Sequence, residues 1–145
     1  MFTTCLEKQE KIKRLFLSCP TEEKKYEKII ELGRTLSPLP VEDKVSENLV
    51  RGCQSMMYLK STLENGAVRF AAESDALISA GLAVILLQVY DGETPETILK
   101  CPPTYLEELG ISARLTPSRA NGLYSIHLRM KQDALKLLIA QAKQG

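Results

Sequence analysis

The side chains of this chain that are best suited to covalent chemistry are four cysteines, Cys5, Cys19, Cys53 and Cys101. Successive cysteines are 14, 34 and 48 positions apart, so the chain has no Cys-x-x-Cys pair. Neither a zinc ribbon nor a thioredoxin-type motif is therefore predicted. The single histidine, His127, excludes any metal site that needs two histidines. A free cysteine is most often a small buried hydrophobic residue, so each thiol needs local context before chemistry is assigned to it.

Cys53 has the most favourable context for a reactive thiol. It lies in the stretch Arg51-Gly52-Cys53-Gln54-Ser55, between a long loop and the first predicted strand. Gly52 allows the backbone conformations that present a side chain on a turn. Gln54 and Ser55 add polar groups, and the charge of Arg51 favours the thiolate, which is the nucleophilic form. The local sequence therefore marks Cys53 as a candidate reactive cysteine.

The other three cysteines have less distinctive surroundings. Cys5 and Cys19 are expected on the apolar face of the first helix, whereas Cys101 lies beside two prolines, where packing and exposure are both open. The N-terminal stretch carries charges throughout and lacks the apolar segment of a signal peptide. We therefore expect a cytoplasmic protein whose cysteines are free thiols.

Composition predicts an ordinary globular domain. The chain has 145 residues, 44% hydrophobic and 26% charged, so a single domain spanning residues 1–145 is expected. The 19 basic and 18 acidic residues leave a net charge of +1, which gives no basic excess for nucleic-acid binding. The apolar stretch 76–90 is shorter than the roughly 20 residues that cross a bilayer and includes Ser79 and Gln88. It predicts a buried central helix and no membrane insertion.

Periodicity predicts mostly helices around one hairpin. Apolar spacing predicts helices over 4–19 and 22–36, the latter capped by Thr21, with an exposed irregular loop at 37–48. Asn65-Gly66 is a strong hairpin signal between strand candidates Met56–Leu63 and Ala67–Ala72. The remaining predicted elements are a helix over 76–90 capped by Ser74-Asp75, short helices opened by Thr94-Pro95 and ended by Gly110, and a last helix entered at Thr116-Pro117. This order predicts an α+β fold.

Five segments match the motifs of one known protein family, in the same order as in that family. They are the Gly-Cys-Gln-Ser stretch at 52–55 with Asn48 before it, Ser74-Asp75-Ala76 with Gly81-Leu82, Tyr90-Asp91-Gly92 with Thr94-Pro95, Leu115-Thr116-Pro117-Ser118-Arg119 with Asn121-Gly122-Leu123, and Tyr26 to Leu36. Through these segments the chain resembles the SufE family of sulfur-acceptor proteins over nearly its whole length. It implies a fold similar to that of the IscU scaffold, with a small, about three-stranded antiparallel sheet and helices packed on it.

The resemblance also implies a function. Members of this family accept sulfur from the persulfide of a SufS-type, PLP-dependent cysteine desulfurase, stimulate that enzyme, and pass the sulfur to a SufBCD-type iron–sulfur scaffold. By this likeness Cys53 is the persulfide-forming acceptor, and PLP stays on the partner, so no cofactor or metal is expected here. The protein is then a sulfur carrier and desulfurase activator rather than a stand-alone enzyme, and a monomer or weak dimer.

Three further residues have both structural and functional interpretations. Arg119 is either a solvated arginine or a side chain that holds the Cys53 loop or an acidic patch on the partner. Asp75 is either a carboxylate in the first turn of a helix or, by the family resemblance, a residue near the cysteine loop that affects docking. His127 lies on an apolar helix face and is expected to be partly buried and hydrogen-bonded.

Two other functions stay open from the sequence. An iron–sulfur scaffold needs three or four converging thiolates, which the predicted positions of Cys5 and Cys19 disfavour. A stand-alone thiol sulfurtransferase or peroxidase usually pairs its cysteine with a base or a resolving cysteine, and the sequence near Cys53 contains neither.

Overall fold

The computed structural model describes residues 2–53, 55–111 and 115–144. Six helices and two strands make up most of this part of the chain, together with short 3-10 turns at Val41–Asp43 and Ser46–Asn48. In chain order these elements are α1 (Thr3–Leu17), α2 (Glu22–Arg34), β1 (Met57–Glu64), β2 (Ala67–Ser74), α3 (Leu77–Tyr90), α4 (Pro95–Lys100), α5 (Thr104–Glu108) and α6 (Pro117–Gln144). The predicted α+β class is confirmed.

Among the described residues, the sheet consists of the β1–β2 hairpin alone, so the prediction of about three strands is wrong. The hairpin turns at Asn65 and Gly66, whose φ angles are 52° and 81°, as the sequence predicted. One isolated antiparallel bridge, Leu49 to Tyr58, extends the sheet on the β1 side. It does not lengthen into a strand because the backbone turns away shortly afterwards at Gly52, where φ is 89°.

Helix α3 is the centre of the core. Its side chains are buried on nearly every face, and α1, α2, β2 and α6 all pack against it. A helix that is apolar on all faces can bury its hydrophobic surface only when other elements surround it, which explains this position. The long helix α6 packs on α3, α4 and β1. The start of α6 therefore lies beside the segment that enters β1, where Cys53 is found.

Several local predictions need correction. Helix α3 begins at Leu77, and its N-cap residue Ala76 makes no side-chain cap, so Ser74-Asp75 does not cap it. Helix α1 ends at Leu17, which leaves Cys19 beyond the helix and partly exposed rather than in the core. The 37–48 loop is not wholly exposed, because Leu39 is buried and its N–H donates to Glu73. The end of α1 was misjudged because Pro20 limits a helix without fixing its last residue.

No helix among the described residues combines the length and the apolar character needed to cross a membrane.

Candidate functional site: the Cys53 loop

The candidate site is the turn that carries Cys53 into β1. Its two ends are joined by a hydrogen bond from the Val50 N–H to the Met57 carbonyl, at 2.8 Å. Gly52 shapes the turn, because its φ of 89° lies in the left-handed region that residues with a side chain rarely adopt. A Cβ at Gly52 would also lie 2.4 Å from Ser125 Oγ on α6. The glycine is therefore required both by backbone conformation and by the close approach of the turn to α6.

The Cys53 side chain points towards the start of α6. Its thiol is partly buried and makes a weak hydrogen bond to the Gly122 carbonyl, with 3.8 Å between sulfur and oxygen. Burial raises the pKa of Cys53, so the neutral thiol is favoured in this conformation. The expectation that Arg51 favours the thiolate is therefore wrong for this state. Desolvation is the cause of the shift, and the Arg51 side chain lies exposed at the surface.

Arg119 connects the part of the turn that follows Cys53 to the core. Its Nη1 donates to Ser55 Oγ at 3.1 Å and to Ser79 Oγ at 2.8 Å. The two serine oxygens are themselves hydrogen-bonded at 3.2 Å. Ser79 is buried on α3, so the arginine ties the residue two positions after Cys53 to the central helix. The structure thus brings together Cys53, Ser55 and Arg119.

Asp75 also holds the end of this turn. Its carboxylate accepts a hydrogen bond from the Met56 N–H at 3.1 Å, and its own N–H donates to the Met56 carbonyl at 3.3 Å. Asp75 precedes α3 and is not a first-turn carboxylate of that helix, so the structural interpretation drawn from the sequence is wrong. The pairing arises because the end of β2 lies beside the entrance of β1, a tertiary arrangement that local pattern does not reveal.

Of the remaining candidates in the signature, Gln54 lies outside the described residues. Arg51 is exposed, and residues 49–53, 55 and 56 surround a shallow surface depression. The described residues contain no cluster of three or more histidine, cysteine or acidic side chains placed to hold a metal ion.

Cys5 and Cys101 lie together in the core, away from the Cys53 turn. Both are buried, and the Gln9 amide donates to Cys5 Sγ at 3.9 Å and to Cys101 Sγ at 3.6 Å. Burial, together with the adjacent Cys101 thiol, raises the pKa of Cys5 to about 12. The question left open for Cys101 is therefore answered, because it is a core residue. The Cys5 thiol is therefore not ionised at neutral pH.

His127 is partly buried beside Tyr90, as expected, with 5.5 Å between their ring centroids. Within the described part of the chain its Nε2 has no hydrogen-bond partner, so the expectation of a hydrogen-bonded histidine is wrong. Burial, with a smaller contribution from Lys131, lowers its pKa to about 4. The ring is therefore neutral near pH 7.

Two residues that shape the site, Ser79 and Ser125, are not among those predicted from the sequence. Ser79 was visible as an isolated hydroxyl in the apolar run 76–90, and a buried hydroxyl in such a run needs a hydrogen-bond partner. That requirement could have indicated a polar contact such as Arg119. No sequence signal marks Ser125, whose importance depends on how closely the turn approaches α6.

Comparisons with known proteins give a family match, and they include a similar sequence and a similar solved structure. Residues 10–134 match the SufE family, described as an Fe-S metabolism associated domain. The chain is 38% identical, over 119 residues, to an uncharacterized SufE-like protein of Synechocystis sp., covering 82% of this chain and 75% of that relative. It is also similar to the solution structure of a hypothetical protein from Thermus thermophilus. That match has a TM-score of 0.75 and 28% identity, and covers 91% of this chain and 96% of the other.

Proposed function

Because the chain belongs to the SufE family of Fe–S metabolism, we propose that it accepts a sulfur atom on Cys53 from the persulfide of a SufS-type cysteine desulfurase. The observation that carries the proposal is the position of Cys53. It is presented by a tight turn at a surface depression, and it is held there by contacts on both sides of the turn. Cys5 and Cys101 are core residues, and Cys19 lies outside the site.

The transfer is a thiol exchange and needs no external oxidant. The Cys53 thiolate attacks the outer sulfur of the donor persulfide. A new S–S bond forms on Cys53 as the donor S–S bond breaks, and the donor cysteine leaves as a thiolate. PLP belongs to the desulfurase, which generates the persulfide. Removing that sulfur frees the donor cysteine for its next turnover, which is how acceptance would stimulate the partner.

Burial of Cys53 implies a conformational step before transfer. In the conformation described, the pKa of Cys53 is raised and its sulfur contacts the Gly122 carbonyl, so both ionisation and access are restricted. We propose that docking of the desulfurase swings the turn outwards, which hydrates the thiol and lowers its pKa. The inward conformation would equally protect the persulfide from water and reductants before it passes to a SufBCD-type scaffold.

The decisive experiment is incubation with a purified SufS-type desulfurase and L-cysteine, followed by mass spectrometry of the intact chain and its peptides. We expect an adduct of one sulfur atom on Cys53 and none in Cys53→Ser. Cys19→Ser is the matched control, because Cys19 is the other partly exposed cysteine, and this variant should accept sulfur normally. If Cys53→Ser accepts sulfur and stimulates the desulfurase like the wild type, the proposal is wrong.

The conformational step has its own test. Alkylation of Cys53 should be slow in the free protein and faster with the desulfurase present. Equal rates would exclude the swinging turn while leaving the acceptor role of Cys53 intact.

A further inference from the structure

A groove beside the Cys53 turn runs between residues 46–51 and α6. It encloses about 480 Å³, a volume within the range of pockets that bind ligands. Its apolar lining includes Leu49, Val50 and Leu128, and its basic lining includes Arg51 and Lys136. We call this feature the basic groove. It is separate from the contacts of the Cys53 thiol but shares Arg51 with the turn that carries it.

One arginine fixes the shape of the basic groove. Arg129 on α6 donates from Nη1 to the Leu49 carbonyl at 3.0 Å and from Nη2 to the Glu47 carbonyl. Its Nε pairs with Asp133 at 3.0 Å, and Asp133 accepts from Ser61 Oγ of β1 at 2.7 Å. The segment that forms one wall is thus fastened to the helix that forms the other. A preformed groove binds its occupant at a lower entropic cost than a flexible one.

Two cations of the groove have no partner of their own. Within the described part of the chain, neither Arg51 nor Lys136 makes an ion pair or a side-chain hydrogen bond, and both are exposed. The opposing carboxylate on the rim is Glu47, which is also exposed. Because Arg129 is already paired with Asp133, the charge left for an incoming partner is predominantly positive.

The spacing of these cations favours an extended occupant over a small anion. Arg51 lies next to Gly52, which approaches Ser125 on α6. Lys136 follows Ser125 by eleven residues, which is a rise of about 16 Å along the helix. The two cations therefore extend from backbone positions at opposite ends of the groove, and Leu128 lies between these positions on α6. They match a peptide segment whose acidic side chains flank apolar ones.

Exposed apolar side chains continue the groove along α6. Leu128, Leu135 and Ile139 are 36%, 47% and 48% exposed and recur at intervals of seven and four residues, which places them on one face of the helix. Scattered exposed leucines are ordinary, but an aligned row beside a preformed groove enlarges the apolar area that a partner can cover.

We propose that the basic groove binds an acidic, partly apolar segment of the sulfur-donor protein and so places the donor cysteine at Cys53. This proposal rests on the proposed function. The groove adjoins the turn through Arg51, so a segment lying in it brings the donor protein against the turn that must open. Charge complementarity identifies the occupant as acidic, and the separation along the groove of the backbone positions that carry Arg51 and Lys136 favours an extended segment of protein.

The test measures sulfur transfer to Cys53 against the concentration of a purified SufS-type desulfurase. Lys136→Glu should raise the donor concentration at half-maximal transfer by roughly three- to tenfold, because an attraction becomes a repulsion. Glu47→Lys should lower it. Lys11→Glu makes the same charge change on the exposed surface of α1, which lines no part of the groove, and should have no effect. Salt at about 0.5 M should shrink the differences, because it screens exposed charges.

The outcomes separate this proposal from the proposed function. One outcome is that the wild type forms the Cys53 adduct while Lys136→Glu and Glu47→Lys reach half-maximal transfer at the same donor concentration as the wild type. That result overturns the groove assignment and leaves the acceptor role standing. If Lys11→Glu weakens transfer as much as Lys136→Glu, overall charge and not the groove is responsible, which also overturns the assignment. A wild type that forms no adduct at saturating desulfurase contradicts the proposed function itself.

Discussion

Gly52→Ala should weaken the inward conformation of the Cys53 turn more than it weakens the rest of the fold. Alanine at a φ of 89° costs about 1–2 kcal/mol, because L-residues are strained there. The new Cβ would also lie 2.4 Å from Ser125 Oγ, far inside the ~3.5–4.0 Å of a normal contact. Overpacking of this kind typically destabilises the conformation that contains it by about 1–3 kcal/mol. Both penalties apply only while the turn is inward, so an open turn escapes them.

The assay is the rate of Cys53 alkylation under native conditions, measured in a Cys19→Ser background. Rotation of the Ser125 hydroxyl can relieve part of the overlap, so the backbone strain alone sets the lower bound. A shift of about 1–2 kcal/mol changes an opening equilibrium by about 5–30-fold. We therefore expect Gly52→Ala to alkylate at least about fivefold faster. Adding Ser125→Ala should remove part of this increase, because it deletes the oxygen that the new Cβ approaches.

Gly66→Ala is the matched control. Gly66 has a similar φ of 81°, but the nearest atom to an added Cβ is Gln141 Nε2, at 4.0 Å. This variant carries the backbone strain without the overlap and lies in the hairpin, so its Tm should fall by about 2–8 °C while Cys53 alkylation stays at the wild-type rate. If Gly52→Ala alkylates like the wild type, or if Gly66→Ala accelerates alkylation equally, the strain does not act on the turn.

Three other perturbations have defined outcomes. His127 has a folded-state pKa of about 4 against an ordinary value of 6.5, so its contribution to stability is complete above pH 6.5 and is lost as pH falls towards 4. Urea midpoints should therefore decline less steeply over this range for His127→Leu than for the wild type, and parallel declines would contradict this. Arg119→Ala should speed alkylation of Cys53 roughly two- to tenfold, because the hydrogen bond that it loses to Ser55 on the turn contributes about 0.5–1.5 kcal/mol. An unchanged rate would mean that the arginine does not hold the turn. Lys8→Met should destabilise the fold by about 1–3 kcal/mol in urea titrations, since it removes the cation 2.5 Å from the buried Glu93 carboxylate. Adding Glu93→Gln should recover part of that loss, and a single variant as stable as the wild type would refute the pairing.

Local sequence was sufficient for most of the elements. Thr21 caps α2 by accepting from the Lys24 N–H, and Thr94 caps α4 with Pro95 at its first position, as their residue types predict. The Asn65-Gly66 hairpin also follows from its own two residues. These features depend on backbone conformation over a few positions, so pattern alone identifies them.

Features that depend on distant contacts were not predictable in this way. Asp75 accepts a hydrogen bond from the Met56 N–H and does not cap the helix that follows it. Cys101 lies in the core against Gln9. Each contact joins chain segments that are far apart in sequence. The third strand is absent from the described residues because the backbone turns at Gly52 after a single bridge at Leu49.

For function, the sequence by itself determined which cysteine to consider and, through the family resemblance, what chemistry to expect of it. Only the tertiary structure decided the state of that cysteine. The charge of Arg51 suggested an activated thiolate, yet packing against α6 desolvates the thiol and raises its pKa. Desolvation depends on every neighbouring atom, most of them contributed by residues far from Cys53 in the chain. The composition of a five-residue motif therefore indicates what Cys53 can do, whereas its burial determines when it can do so.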